Sequence, residues 1–154
     1  MLLWIDAVYD RTQADVKRVS ELAAKGFQNM TEAEQVEWLN GMKGALNYAD
    51  IKRIENNVQL LSDVLELDLS TCYGKTVTLN EAYFKQLLAN VEAIRKAYMI
   101  HSDTPKTPSA PVNTYQKLND IEKILYDVYT ILNSNFFYYA GEGLYTGQDT
   151  ALLL

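Results

Sequence analysis

Acid–base catalysis needs paired carboxylates, or a histidine with an orienting partner, held within hydrogen-bond reach. The chain has one histidine, His101, at the end of a predicted helix and just before a proline-rich connector. Nothing near it in sequence would orient its ring, so a surface or capping role is expected. Glu55 and Glu122 are the carboxylates that folding could bring face to face, because they occupy equivalent positions beside the apolar seams of two predicted helices. Contact with solvent, or with a cation such as Arg53 or Lys123, is expected to occupy them instead. One histidine and one cysteine, Cys72, cannot make a structural zinc set. Asp6, Asp10 and Asp15 lack calcium-loop spacing. Phosphate-loop, dinucleotide and nucleophile-elbow patterns are absent. The expectation is no catalytic residue, no metal, no cofactor and no enzyme.

Aromatic chemistry is better supplied. Tyr126, Tyr129, Phe136, Phe137, Tyr138, Tyr139 and Tyr145 crowd one stretch, and Leu152, Leu153 and Leu154 follow. Tyrosines anchor interfaces by joining a rigid apolar ring to a polar tip, and they also stack on sugars. Four consecutive aromatics and a run of leucines free in water would be an aggregation liability. Residues 136–154 are therefore expected to form a docked arm that contacts the chain's own core, another subunit or a glycan. Its partner-binding residues would be Phe136, Phe137, Tyr138, Tyr139, Tyr145 and Leu152 to Leu154. Pro105, Pro108 and Pro111 repeat at the period of polyproline II. A strut spanning one end of a helical core to the other is preferred over a ligand ridge, because the segment joins two helices of the same core.

These groups must be placed by helices, whose starts are legible. An acceptor side chain three residues before a carboxylate or amide is capping-box spacing. It occurs at Thr12/Asp15, Thr31/Glu34, Asn47/Asp50, Thr78/Glu81 and Asn113/Gln116. Gly26 and Gly41 sit where the first two helices should stop. The pattern predicts helices near 13–25, 32–40, 48–65, 80–99 and 114–134. Three of them share a seam at steps of three and four: Ile51, Ile54, Val58, Leu61, Leu65; then Phe84, Leu87, Val91, Ile94, Tyr98; then Leu118, Ile121, Leu125, Val128, Leu132.

That spacing predicts an all-α fold. The expected architecture is a three-helix bundle (48–134) with a heptad-type core, two shorter N-terminal helices forming a hairpin (13–40) and the C-terminal arm. The bundle domain would be 1–135. Leu60, Val64, Leu88, Ile124 and Ile131 are expected to be buried beside the seam, and the last long helix to be the most buried element. Glu21–Lys25 and Glu92–Lys96 are expected as surface pairs. Residues 66–79 allow a short hairpin.

The whole chain of 154 residues is 48% hydrophobic and carries a net charge of -6. That charge argues against a nucleic-acid partner, which calls for a basic face, and against attraction to anionic membranes. No apolar run is long enough to cross a bilayer. The N-terminus lacks the basic start of a signal peptide, so a reducing cytosol is the expected site of synthesis.

Two stretches resemble a known family. Trp4–Ile–Asp–Ala–Val–Tyr–Asp–Arg–Thr–Gln–Ala–Asp–Val16 and Gly44–Ala–Leu–Asn–Tyr–Ala–Asp–Ile–Lys–Arg–Ile–Glu–Asn–Asn57 are similar to a helical module in tail-associated structural proteins of phages and prophages of Gram-positive bacteria. The likeness covers about residues 4–65 well and 80–132 weakly. Its motifs read as helix caps and bundle-surface residues with no chemistry of their own. The resemblance implies a virion setting, in a tail, baseplate or fibre. It also implies other virion structural proteins and copies of the same chain as partners.

Overall fold

The computed structural model describes residues 3–69 and 79–140, without the side chains of 135–140. Every regular element among the described residues is helical. The helices are α1 (Gln13–Lys25), α2 (Glu32–Leu39), α3 (Tyr48–Val64), α4 (Glu81–Ala97) and α5 (Tyr115–Ala140), with a single 3₁₀ turn at Phe27–Asn29. The capping boxes at Thr12 and Thr31 form as read, each hydroxyl accepting the N–H three residues on. At α3, Asp50 accepts the Asn47 N–H at 2.9 Å.

Two starts differ from the reading. Asn80 caps α4 by accepting the Tyr83 N–H, while Thr78 lies outside the described residues. At α5, Thr114 rather than Asn113 accepts a backbone N–H, that of Lys117. A side chain one residue nearer the first turn reaches the same orphan donors. Gly26 and Gly41 follow the first two helices with φ of 76° and 84°, a region that side chains disfavour.

The predicted seams point inward. Val58, Val91 and Leu125 are 1%, 0% and 1% exposed, in one core that draws on α3, α4 and α5. Leu88 and Ile124 join it, but Val64, the last residue of α3, is 57% exposed. From Lys117 to Leu132 no residue of α5 is exposed, so α5 is wrapped on its polar side as well. A smaller core of Leu22, Met30 and Met42 lies under α1. Of the expected surface pairs, Glu92–Lys96 forms at 3.0 Å. Glu21 pairs instead with Lys17, and Lys25 reaches across to Glu34.

What wraps α5 is extended chain. Residues 3–12 form a strap lying between α3 and α5. Ile5 pairs with Asn57, Val8 with Glu122 and Arg11 with Asn119 and Asp50, while Trp4 stacks on Tyr129. Descending the strap from Trp4 to Arg11 means descending both helices, so α3 and α5 run in the same direction. The proline connector behaves alike between α4 and α5. Thr104 bonds Asp127, the Arg95 Nε–H donates to the Pro105 carbonyl, Thr107 bonds Glu92, and Lys117 donates to the carbonyls of Ser109 and Pro111. The connector thus returns along the helices, and α4 also runs parallel to α5. Between α4 and α5 the seam spacing therefore spans an extended return plus a helix, which is what keeps these two helices parallel.

No strand occurs among the described residues, and most of the possible hairpin at 66–79 lies outside them. Helix α5 continues six residues beyond the expected end at 134. Residues 136–140 of the expected arm are therefore helical. The run from Asn135 to Ala140 contains neither glycine nor proline, and nothing in it breaks a helix.

Candidate functional site

The most concentrated polar chemistry lies where the strap crosses α3 and α5. Arg11 ends the strap, Asp50 and Arg53 stand one turn apart on α3, and Glu122 faces them from α5. All four meet. Arg11 donates to Asp50 and Glu122, at 2.9 Å each. Arg53 bridges the same two carboxylates, reaching Glu122 through Nε at 2.7 Å and Asp50 at 2.5 Å. A second Arg53 nitrogen donates to the other Glu122 oxygen at 2.8 Å, completing a fork. The Val8 N–H adds a fourth bond to Glu122 at 2.7 Å. Arg11 and Glu122 are 4% and 1% exposed.

Charges taken out of water this far persist only when paired and hydrogen-bonded; these are paired, and among the described residues Arg11 Nε is the one buried polar side-chain atom without a hydrogen bond. The two cations and two anions cancel. Burial pushes the Asp50 carboxyl up. The Asn47 N–H and the Arg53 and Arg11 guanidiniums outweigh that and hold it below the ordinary range. The same carboxylates raise the pKa of Arg53 further.

Amide side chains complete the latch. Asn57 accepts the Ile5 N–H at 3.0 Å and donates to its carbonyl at 2.7 Å. Asn119 repeats the arrangement on Arg11, at 3.2 and 2.9 Å. Each amide stands in for one residue of a neighbouring strand, so an extended segment is satisfied without a sheet. Asn56 holds the Leu3 carbonyl at 2.7 Å.

The chemical consequence is closure. Both Glu122 oxygens and both Asp50 oxygens are committed to donors. Glu55, the other half of the candidate acid–base pair, accepts from the Tyr83 hydroxyl at 2.9 Å and from Lys52 at 3.3 Å. It does not meet Glu122. Asp127 is buried under the connector between Thr104 and Lys123. His101 is exposed beyond α4, and its carbonyl accepts the Thr104 N–H. Among the described residues no group of His, Cys, Asp and Glu is placed to hold a metal ion.

Of the aromatic cluster, Tyr129 stacks on Trp4 with centroids 4.1 Å apart, and Tyr126 meets Tyr9 at 5.0 Å. Both are engaged by the strap. The side chains of Phe136, Phe137, Tyr138 and Tyr139, and all of Tyr145, Leu152, Leu153 and Leu154, lie outside the described residues.

Sequence reasoning missed Arg11 and misplaced Asn57. The motif residues read as caps and surface include Asp50, Glu55 and Asn57, all buried. One signal pointed to the cluster: Asp50, Arg53 and Asn57 follow each other at helical spacing beside the seam. Their partner, ten residues into the chain, could be found only by folding it. No helix among the described residues is long and apolar enough to cross a membrane. No protein-family model matches the chain, and no curated protein or solved structure matches it either.

Proposed function

We propose that the chain is a non-enzymatic structural component of a phage or phage-like particle, associated with its tail, baseplate or fibre. In this reading α3, α4 and α5 form a three-helix bundle with a heptad-type core. The bundle is a rigid body, the aromatic arm at 136–154 is a docking element, and virion proteins and further copies of the chain are the partners.

The observation that carries the reading is that the two stretches resembling the phage module grip each other. Trp4 to Val16 supplies the strap and Arg11, and Gly44 to Asn57 supplies Asp50, Arg53 and the Asn57 clamp. A satisfied buried polar network of this kind rigidifies and fixes one chain path. Saturation of Glu122 and Asp50 by arginines supports a role without catalysis.

The test is fractionation. Particles induced from a host that carries the gene are banded on a density gradient and probed with antibody to the chain. The chain is expected to band with the particles at a fixed stoichiometry. Recovery only in the soluble lysate would overturn the reading.

A further inference from the structure

We propose that the chain self-associates head to tail, with the exposed stripe of α2 in one copy seated in the groove between α4 and the proline connector of the next. The inference rests on the assembly role above and names the two surfaces.

Helix α2 is mounted the wrong way round for a lone surface helix, which normally turns its apolar stripe inward. Glu34 and Glu37 face α1, where Arg18 and Lys25 hold them at 2.5–3.8 Å. Glu32, Val36 and Leu39, spaced i, i+4, i+7 on one face, point to water, and Val36 and Leu39 are 57% and 72% exposed. Polar contacts thus fix the helix while its apolar stripe is unpartnered among the described residues.

The groove has the complementary character. It encloses about 770 Å³, with Leu88, Pro108 and Ala110 among its apolar lining and three cations, Lys85, Arg95 and Lys106, against one carboxylate, Glu92, which Lys96 pairs. Neither Lys106 nor Glu32 forms an ion pair among the described residues. Residues 13–39 carry five carboxylates against three cations. Residues 81–111 carry four Lys and Arg against three carboxylates, a positive region on a chain of net charge -6. A helix face with one unpaired carboxylate, Glu32, beside two protruding aliphatic residues, and a groove of net positive charge with an apolar lining, suit the helix-in-groove mode of recognition. Because the two surfaces differ, each copy keeps one of each free after pairing, and the contact propagates into a ring or a filament.

Sedimentation velocity on the full chain tests this, across a concentration series at low and moderate salt. The wild type is expected to grow in mass with concentration and to dissociate as salt screens the rim. Leu39→Glu and Lys106→Glu are each expected to weaken association about tenfold or more, with circular dichroism unchanged. Mixing these two variants is expected to give a one-to-one dimer, since each retains the surface the other lacks. Combining Glu32→Lys with Lys106→Glu in one chain is expected to restore growth.

A wild type that stays monomeric overturns the proposal. So does a Lys106→Glu chain that assembles like the wild type, the sign of α2 pairing with α2. A mixture that remains monomeric overturns it as well. Any of these results beside recovery of the chain in particles leaves the assembly role standing and removes only this contact.

Discussion

Removing the Glu122 carboxylate would leave Arg11 and Arg53 sharing Asp50 alone, with the Arg11 side chain almost wholly buried. An uncompensated buried charge of this kind costs about 3–5 kcal/mol. Glu122→Ala is expected to lower the urea midpoint by that equivalent, and a loss below about 1 kcal/mol would show that solvent reaches the cluster. Gly44 makes a different demand. A Cβ there would stand 2.2 Å from the Asp15 carbonyl oxygen and 2.6 Å from the Val16 nitrogen, both backbone atoms that cannot rotate away. Gly44→Ala is expected to push α1 off the loop at about 1–3 kcal/mol, read as a lower thermal midpoint. At this scale the sequence was only partly legible. Capping residues act within one turn and announce themselves by spacing, whereas Arg11 acts on residues 39 and 111 positions away.

The strap is the element whose loss would be seen most directly. Asn57 supplies two hydrogen bonds to Ile5 from a site that is 1% exposed. Asn57→Ala removes both of these part-buried bonds, each worth about 0.5–1.5 kcal/mol. The expected result is faster amide exchange at Ile5 and Val8. In a Trp38→Phe background, Trp4 emission is also expected to shift to the red as its stack on Tyr129 opens. Unchanged exchange would mean that the ion pairs alone hold the strap. The helices themselves were legible, since a seam at steps of three and four needs no knowledge of the partner. The strap was not, because its alternation is weak and its backbone is satisfied by side-chain amides from helices, a pairing that no strand pattern records.

For the whole molecule, acid is the informative stress. Asp50 is held below the ordinary carboxylate range. Glu34 is lowered to about 2 by the Lys25 ammonium and the Thr31 N–H. A carboxyl whose pKa is depressed by folding contributes stability that is complete above its unfolded value. That contribution is lost as pH falls through the folded value. Stability should therefore hold from neutrality down to about pH 4, the range of free carboxyls, and then fall steeply. Asp50→Asn should be less stable at neutral pH and flatten that acid limb. Urea titrations at a series of pH values check this, and a limb identical to the wild type's would remove Asp50 from the account.

By itself the sequence determined what depends on neighbours within a turn or two. That covers the all-helical class, the approximate position of each helix, the capping boxes at Thr12 and Thr31, and the seam faces that turn inward. These follow from steric and hydrogen-bonding rules acting over a few residues. The tertiary structure decided the rest. Parallel running of α3, α4 and α5 was hidden because an extended return and a tight turn both read as polar, helix-free chain. Conversion of α5's polar side into a buried one was hidden because Asp127 and Asn119 look solvent-facing until a strap or connector lies over them. The cancellation of Arg11, Asp50, Arg53 and Glu122 depends on three segments arriving together. Electrostatic pairing in a dry interior is a property of distance in space, which the order of residues along the chain does not carry.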